Sequence, residues 1–301
     1  MTAVAGDLSE VALEVLATGP LATVQDLGRP GHAAWGVGAS GAADRASLRL
    51  ANRLVGNPEG AAALEVTLGG LSVRALRDVI AALTGAPSPA QVEGGGGTWG
   101  AAHNAVLTLR RGDVLTLAAP SAGLRTYLAV RGGVDVAPVL GSRSTDVLAG
   151  LGPDALTAPM RLPVGPPPAD YPCVDLAPVA DPPSGDVTLR VVPGPRDDWF
   201  TPAALDTLLS QDWTVTPDMD RVGVRLDGPE LSRAVGGELP SEGVVRGALQ
   251  VPPSGRPTLF LSDHPVTGGY PVIAVVLDAD VDRAAQARPG QRLRFRRVPR
   301  S

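Results

Sequence analysis

A chain of 301 residues, 44% of them hydrophobic, is long enough to bury a full core in one large domain or in two of ordinary size. Its net charge of −5 and its 3% of aromatic residues argue against nucleic-acid binding, which uses basic surfaces and stacking rings. All 26 basic residues are arginine. The absence of lysine excludes P-loop ATPases, Schiff-base enzymes, a lysine general base and a lysine-linked biotin carrier segment.

The single cysteine and the N-terminal segment predict the compartment. Cys173 cannot form an internal disulfide, which fits a reducing environment. No basic residue precedes Arg29, so an ordinary secretory signal is not expected. The apolar run at 272–277 is too short to span a bilayer, which takes about 18–20 residues. We therefore expect a soluble, cytoplasmic protein without a membrane segment.

Strand patterns dominate the chain, and two of them recur. Residues 13–20 alternate apolar and polar side chains and end in a Gly-Pro turn, and residues 189–195 repeat this pattern. About a hundred residues after each, a turn at Gly112 or Gly290 begins a closing strand. The repetition predicts two β-rich halves; coincidence among common strand–turn patterns is the alternative. The proline-dense run between them predicts a linker over 159–184, with subdomains over 10–158 and 185–298.

Helix signals are few. Residues 43–55 place apolar side chains at helical spacing before a Gly-Asn-Pro stop. Thr201 followed by Pro202 is a cap with a first-turn proline and predicts a second helix. Ser144 is predicted to cap a short helix through Ala149. The period is two at 106–110, 125–131, 222–226 and 258–262. The predicted fold class is mainly β with a few short helices.

Two glycine-rich clusters near the N-terminus supply the first candidate site residues. At 23–31 a strand runs into a loop that contains Asp26, Gly28 and Arg29. Asp26 and Arg29 either form a salt-bridged turn or bind a metal and an anion, respectively. At 36–45 the amide groups before a helix suit an anion, and we interpret Ser40 as the helix cap rather than as a nucleophile.

Further clusters follow along the chain. Arg143, which stands between two serines, predicts an oxyanion or phosphate contact. At 261–271 a strand opens into a polar loop with two glycines, which is the most site-like single feature. The three histidines lack a metal-ligand spacing, so a zinc site is not predicted. The glycine run at 94–97 predicts a hairpin tip rather than a dinucleotide loop.

Eight ordered motifs together resemble the biotin-dependent carboxyltransferase family. They are QDLGRPG (25–31), SGAAD (40–44), LTGA (83–86), RGGVD (131–135), LGSRS (140–144), MDRVG (219–223), SEGVV (241–245) and TGGYP (267–271). The resemblance spans roughly residues 10–298. This family includes subunits of 5-oxoprolinase, proteins labelled allophanate hydrolase subunit 2, a bacterial kinase-inhibitor-associated regulator and part of urea carboxylase.

The resemblance implies cyclophilin-like β-barrel subdomains and a site completed by partner subunits, one B-like and one A-like. It implies ATP- and Mg²⁺-dependent opening of 5-oxoproline to glutamate. The alternatives are carboxyl transfer from carboxybiotin to a urea-like amide, and a non-catalytic regulator that binds a histidine-kinase-like partner. A Ser-Ser-Lys amidase is excluded by the missing lysine.

This chain departs from the family pattern around the TGGYP motif. Val266 stands where many relatives have a second threonine, and Val272 stands where many have a lysine. His264 and Pro265 replace a more usual polar pair. If that lysine contributes to catalysis in the relatives, its loss argues against carboxyl transfer here.

Amide chemistry and the resemblance together assign candidate roles. Arg29 and Arg143 are predicted to contact developing negative charge, and Asp26, Asp44 and Asp263 to act as a base or as Mg²⁺ ligands. No metal site held by the protein alone is predicted. The candidate substrate- or nucleotide-binding residues are Gln25, Gly28, Ser40, Gly41, Ser144, Glu242, Thr267, Gly268, Gly269 and Tyr270. We expect these residues to line one shared cleft.

Overall fold

The computed structural model describes residues 11–172, 174–237 and 239–298, which leaves Cys173 outside the described residues. Its contacts divide the chain into two compact units. Among the described residues, the first unit comprises those up to Gly28 together with Arg45–Thr145 and Leu151–Pro182. The second comprises Arg29–Asp44, Asp146–Gly150 and the described residues from Pro183 onward. Two short segments of the N-terminal half therefore pack within the second unit, whereas the sequence predicted contiguous subdomains.

The first unit is built from two antiparallel sheets around one aliphatic core. In β4, for example, Leu71, Val73 and Ala75 are buried while the residues between them are partly exposed, as a half-buried strand requires. The six-stranded sheet has the order β11-β1-β4-β9-β6-β7, with β1 Val11–Thr18, β4 Leu71–Ala75, β6 Ala90–Gly94, β7 Gly97–Ala101, β9 Val114–Leu117 and β11 Arg161–Pro163. The five-stranded sheet has the order β2-β3-β10-β5-β8, with β2 Leu21–Gln25, β3 Ala63–Thr67, β5 Val79–Gly85, β8 Ala105–Leu109 and β10 Arg125–Val130.

The second unit contains a closed barrel of seven strands. Its core is centred on Trp213, whose Nε1 donates to the carbonyl oxygen of Leu208 at 3.1 Å. The strand order is β12-β19-β16-β17-β14-β13-β20, with β12 Val187–Pro193, β13 Trp213–Met219, β14 Gly223–Asp227, β16 Ala248–Gln250, β17 Thr258–Phe260, β19 Val272–Val276 and β20 Arg292–Arg297. A separate two-stranded ribbon pairs β15 Glu242–Gly243 with β18 Thr267–Gly268.

Three α-helices accompany the strands in the described part of the chain: α1 Arg45–Leu54, α2 Pro202–Ser210 and α3 Asp278–Ala284. The first two were predicted, and Thr201 caps α2 by accepting a hydrogen bond from the amide of Ala204. The predicted helix over 144–149 is wrong: the chain is irregular at 144–145 and forms a turn at 147–150. The third helix was missed because it is short and directly follows β19.

An ion pair attaches α3 to β12. Both oxygens of Asp280 accept hydrogen bonds from Arg190, from its amide at 2.7 Å and from its side-chain Nε and Nη2 at 2.9 Å. Burial raises the pKa of Asp280, but the hydrogen bonds and charge of Arg190 more than offset this effect, so the net pKa lies below its ordinary value.

Turn glycines lie where the sequence pattern placed them. Gly112 and Gly290 have φ angles of 96° and 84°, and each precedes a strand by two residues. Because residues with a side chain rarely adopt such φ angles, these turns favour glycine. The proline-dense run contains only β11 as a regular strand among its described residues. No helix in the described ranges is long and apolar enough to span a bilayer. The mainly β class is confirmed, with sheets around one core in the first unit and a closed barrel in the second.

Candidate functional site

Each of the residues 40–44 forms a hydrogen bond with a side chain elsewhere in the second unit. Ser40 has a φ angle of 53° and Gly41 one of 94°, so the backbone turns through the left-handed region here. The partners, in chain order, are Asp263 with the Ser40 hydroxyl, Arg221, Ser262 and Arg246 with the carbonyl oxygens of Gly41, Ala42 and Ala43, and Gln286 with the Asp44 carboxylate. The interpretation of Ser40 as a helix cap is wrong, because α1 begins only at Arg45.

A buried ion pair lies beneath this segment. Nε of Arg221 donates to Oδ2 of Asp263 at 2.9 Å, and Nη2 donates to Oδ1 at 3.0 Å. The same carboxylate accepts from the Ser40 hydroxyl at 2.6 Å and from the amide of Val147 at 3.0 Å. A carboxylate has about four acceptor positions, and protein donors use all of them. A base or metal-ligand role for Asp263 would require some of these donors to move, and that role stays a prediction.

Asp146 organises the turn that replaces the predicted helix. Its Oδ1 accepts from the amides of Leu148 and Ala149 at 3.1 and 3.0 Å, and its Oδ2 lies 3.9 Å from Nη1 of Arg29. The Arg29 side chain is 0% exposed. The Arg29 guanidinium is therefore buried beside the Asp146 carboxylate, and its predicted contact with developing negative charge stays a prediction.

A cleft of about 500 Å³ opens among these segments of the second unit. His264 and Thr267 are its polar side chains from the TGGYP region. The full lining is Ala33, Ala34, Gly36, Gly38, Asp146, Leu148, Ala149, His264, Pro265, Val266 and Thr267. Nδ1 of His264 lies 2.8 Å from the carbonyl oxygen of Pro265, which can only accept, so Nδ1 carries the proton. In the neutral ring, Nε2 is then the basic nitrogen.

A second cleft, of about 320 Å³, also has Leu148 in its wall. Tyr270 and the buried Gln250 line it, and Nε2 of Gln250 donates to the carbonyl oxygen of Tyr270 at 3.1 Å. Gly268 packs so tightly that a Cβ atom there would overlap Nε2 of Gln250. The glycine at this position therefore permits the contact that holds the Tyr270 backbone.

The ribbon of β15 and β18 is anchored by an ion pair. Glu242 lies opposite Gly268 in the ribbon, and Nε of Arg196 donates to its Oε2 at 2.9 Å. This hydrogen bond lowers the pKa of the Glu242 carboxyl, although both side chains are partly exposed. The predicted binding residue Glu242 is thus an ionised partner of Arg196 and holds the Thr267–Gly268 strand in place.

In the first unit, Asp26 is the centre of a separate network. Its Oδ1 accepts from the hydroxyls of Ser142 and Ser144, both at 2.6 Å, and from the amide of Gly28 at 2.7 Å. Its Oδ2 accepts from the amide of Arg143 at 2.6 Å. As for Asp263, protein donors occupy the carboxylate, which favours a role in fixing the two loops over one as a base.

The neighbours of Asp26 are similarly engaged. The Gln25 amide donates to the carbonyl oxygen of Thr145 at 2.9 Å. The Arg143 guanidinium donates to Asp135 at 2.6 Å and to the carbonyl oxygen of Val136 at 2.8 Å. Arg143 is therefore an ion-pair partner of Asp135, and an anion would have to compete for its guanidinium.

The predicted residues thus form two clusters, one within each unit. Gln25, Asp26, Gly28, Arg143 and Ser144 meet in the first unit. Ser40, Gly41 and Asp263 meet in the second unit, where Thr267–Gly268 and Tyr270 line the clefts or the adjoining ribbon. Asp44 contacts Gln286 instead. One cleft that joins all of these residues stays a prediction.

The described residues do not fit a metal site held by the protein. Among them, no group of three or more His, Cys, Asp or Glu side chains is placed to hold an ion. The proposed ligands Asp26, Asp44 and Asp263 each accept hydrogen bonds from protein donors. We therefore derive no step through Mg²⁺ bound to this chain alone.

Sequence reasoning did not select Arg221, Asp146 or His264 as site residues. Arg221 lies in the MDRVG motif, His264 lies in the polar loop at 261–271, and Asp146 follows the LGSRS motif by two residues. Their partners are distant in sequence, as in the 42-residue separation of Arg221 and Asp263. The one signal in the sequence for the buried Arg221–Asp263 pair was an arginine at the end of a strand, in the MDRVG motif.

Comparisons with known proteins agree with this architecture. The family described as carboxyltransferase domain, subdomain A and B, matches residues 35–297. The C subunit of 5-oxoprolinase from Escherichia coli (strain K12) is 39% identical over 291 residues, which cover 94% of this chain and 90% of that protein. Urea amidolyase of Lachancea kluyveri is 33% identical over 319 residues, which cover 96% of this chain but 17% of that protein.

Solved structures give the same result at the level of the fold. The crystal structure of TTHA0988 matches with a TM-score of 0.85 at 38% identity, over 96% of this chain and 56% of that one. The K. lactis urea amidolyase structure matches with a TM-score of 0.90 at 30% identity, over 98% of this chain and 19% of that one. This chain thus spans little more than half of the first protein and about a fifth of the second. From the extent of these matches, the chain belongs to the biotin-dependent carboxyltransferase family, in its subdomain A and B group.

Proposed function

We propose that this chain is the C-type subunit of an ATP-dependent 5-oxoprolinase, which opens 5-oxoproline to glutamate together with A-like and B-like partner subunits. The observation that carries the proposal is the two-way coverage with the C subunit of the Escherichia coli enzyme, 94% of this chain and 90% of that protein at 39% identity. A protein that performs the same task is expected to match along its whole length. Urea amidolyase is matched over only 17% of its length.

Opening a cyclic amide requires activation of its carbonyl group, because amides are poor electrophiles. The balanced reaction consumes ATP and two water molecules and yields glutamate, ADP and phosphate. ATP supplies the phosphoryl group that converts the amide oxygen into a leaving group. Stabilisation of the developing charge and removal of a proton from the attacking water remain tasks for protein residues.

The second-unit cleft offers groups for these tasks. Nε2 of His264 is the basic nitrogen of the neutral ring and accepts a proton from the attacking water. This base is particular to this chain, since the resemblance places a different polar residue at this position in many relatives. The Thr267 hydroxyl donates a hydrogen bond to a substrate oxygen. Asp263 and Arg221 act as positioning residues, because they hold the 40–44 segment and the Val147 turn against the loop that carries His264.

Carboxyl transfer from carboxybiotin to a urea-like amide is the second candidate. The K. lactis urea amidolyase match, with a TM-score of 0.90, supports it. Val272 argues against it if the lysine that the resemblance places at this position in many relatives takes part in their catalysis. Val272 begins β19 with a side chain that is 7% exposed. The chain contains no lysine that could supply that amine from another position.

The test is reconstitution with the A-like and B-like proteins from the same source. The complete mixture is expected to form glutamate and ADP from 5-oxoproline and ATP, and omission of this chain is expected to abolish glutamate formation. Glutamate production without this chain, or by this chain alone, would contradict the proposal. Carboxylation of urea in the presence of a carboxylated biotin carrier, without 5-oxoproline turnover, would support the second candidate.

Variants of the complete mixture test the cleft separately from the function. His264→Gln is expected to lower kcat by about 10²–10⁴-fold, the usual contribution of a general base. His103→Gln is the matched control, because His103 lies in the first unit and contacts the carbonyl oxygen of Gly85. Equal turnover by both variants would remove His264 from the mechanism and leave the 5-oxoprolinase proposal standing.

A further inference from the structure

A cavity of about 400 Å³ lies in the first unit and shares no residue with the clefts described above. This volume falls within the range of small-molecule sites, about 300–1,000 Å³. The lining combines apolar, arginine and aromatic side chains. Its members are Arg77, Asp78, Val79, Ile80, Thr108, Arg110, Arg131, Gly165, Pro167 and Tyr171.

Arg131 brings a nearly buried positive charge to this cavity. Its guanidinium donates to the carbonyl oxygens of Val55 at 2.8 Å, Pro168 at 2.5 Å and Asp170 at 2.8 Å. These acceptors satisfy hydrogen bonds but carry no full negative charge. Within the described ranges, Arg131 forms no ion pair with a carboxylate. Its charge is therefore uncompensated in a low-dielectric setting.

Arg77 supplies a second positive charge of the same kind. Its Nη2 donates to the carbonyl oxygen of Val164 at 3.0 Å. Its Nε is shielded from solvent and has no hydrogen-bond partner among the described residues. The Arg77 side chain is only partly buried and forms no ion pair among the described residues, so an anion in the cavity can pair with the accessible part of its guanidinium.

The carboxylates near the cavity are already occupied. Asp78 accepts from the amide of Arg111 and the side chain of Arg110, at 2.8 and 2.9 Å, and these contacts lower its pKa. Asp135, beside Gly165, binds Arg143. Because Arg110 offsets Asp78, the lining carries two net positive charges, from Arg77 and Arg131, in a chain whose net charge is −5.

Tyr171 adds a platform for a ring. The guanidinium carbon of Arg131 lies 4.3 Å from its ring centroid, and the side chain is nevertheless 60% exposed. One ring face is thus covered by a cation while much of the ring remains accessible for stacking. Planar groups stack favourably on such a ring.

We propose that this cavity binds a small organic anion in which a carboxylate or phosphate group stands beside a planar ring. The anion pairs with Arg77 and Arg131, and the ring stacks on Tyr171 above the apolar wall of Val79 and Ile80. The site belongs to this chain alone and does not depend on the proposed reaction.

Calorimetric titration of the full chain with four probes separates the requirement for an anionic group from the requirement for a planar ring. AMP and nicotinate carry a planar ring and an anionic group; inorganic phosphate carries only the charge, and adenosine carries only the ring. AMP or nicotinate is expected to bind at least about tenfold more tightly than phosphate or adenosine. Which of the two binds more tightly distinguishes a phosphate ligand from a carboxylate ligand.

Two variants locate the site. Arg77→Gln and Tyr171→Ala are each expected to weaken binding of the preferred probe by about tenfold, the loss of one charge-assisted contact or one stacked ring. Neither change removes the contacts of Arg131 to backbone carbonyls, so the fold is retained. Arg256→Gln is the matched control, because that arginine is exposed in the second unit and pairs with Asp227.

The proposal fails if no probe with both features binds more tightly than its single-feature counterparts. It also fails if the Arg77 and Tyr171 variants bind as tightly as the Arg256 variant. Because these titrations use the chain without partner subunits or turnover, their outcome is independent of the 5-oxoprolinase test.

Discussion

The substitution Asp263→Asn tests whether the buried ion pair organises the second unit. It keeps the size of the side chain and removes its charge. The wild-type carboxylate accepts two hydrogen bonds from Arg221, one from Ser40 and one from the amide of Val147. An asparagine has one acceptor oxygen and one donor group in place of two acceptors, so it cannot satisfy all of these donors.

The expected loss in free energy of unfolding follows from the burial of the ion pair. Both Arg221 and Asp263 have side chains at most 1% exposed. Removing one partner of a buried pair leaves an uncompensated charge and costs about 3–5 kcal/mol. Because domains are stable by about 5–15 kcal/mol, we expect a folded protein with a much reduced free energy of unfolding.

Urea denaturation followed by tryptophan fluorescence measures this loss, since Trp213 lies in the barrel core. Asp227→Asn is the matched control. Asp227 pairs with Arg256 at 3.3 Å, and both side chains are more than half exposed. An exposed pair contributes about 0–1 kcal/mol, so this variant should unfold close to the wild type.

A double variant separates the loss of the ion pair from the loss of side-chain packing. Arg221→Gln combined with Asp263→Asn removes both charges and is expected to lose less free energy than the sum of the two single variants. If Asp263→Asn costs no more than Asp227→Asn, or if the single losses simply add, the pair is not the organising contact and the reasoning is refuted.

Two further predictions concern the ribbon and the α3 attachment. In the reconstituted mixture, Gly268→Ala is expected to lower activity, because the added Cβ displaces the Gln250 amide. Gly243→Ala in the paired strand is the control and should leave activity unchanged, because no atom lies within 4 Å of its added Cβ. Equal effects of the two variants on activity would contradict the packing argument. Because the pKa of Asp280 is depressed in the folded state, its stabilisation is present above its ordinary pKa of 3.8 and is lost as pH falls through the folded value. Asp280→Asn should therefore reduce the free energy of unfolding at pH 7, and the difference from wild type should shrink below about pH 4; a constant difference would assign the effect to packing rather than to ionisation.

Local patterns predicted much of the fold. Thr201 and Pro202 specify the start of α2 through a cap and a fixed φ angle, and the structure confirms it. The segment at 144–149 shows the limit of such patterns. Ser144 has the chemistry of a cap, but its hydroxyl donates to Asp26, 118 residues away in the chain, and no local signal reports that competing partner.

Composition indicated the loops of the candidate site but not the contacts that its residues make. The loops that hold Ser40, Asp263 and Thr267 were identified from glycines and polar residues at strand ends. Asp263 and Arg29 were assigned direct chemistry, and the structure places both as buried contacts. A motif in the sequence does not report whether its carboxylate or guanidinium contacts a ligand or another protein residue.

The sequence by itself determined the mainly β class, the family, the strand-end loops and the absence of lysine chemistry. The fold class, the loops and the absence of lysine follow from local periodicity, turn residues and composition, which are properties of neighbouring positions. The family follows from the resemblance of the eight ordered motifs. Only the tertiary structure decided that segments 29–44 and 146–150 pack within the second unit, and that Arg221 pairs with Asp263. It also decided which charges stay uncompensated at Arg77 and Arg131. The reason is that burial and partner choice depend on contacts between positions far apart in the chain, and one sequence does not report those distances.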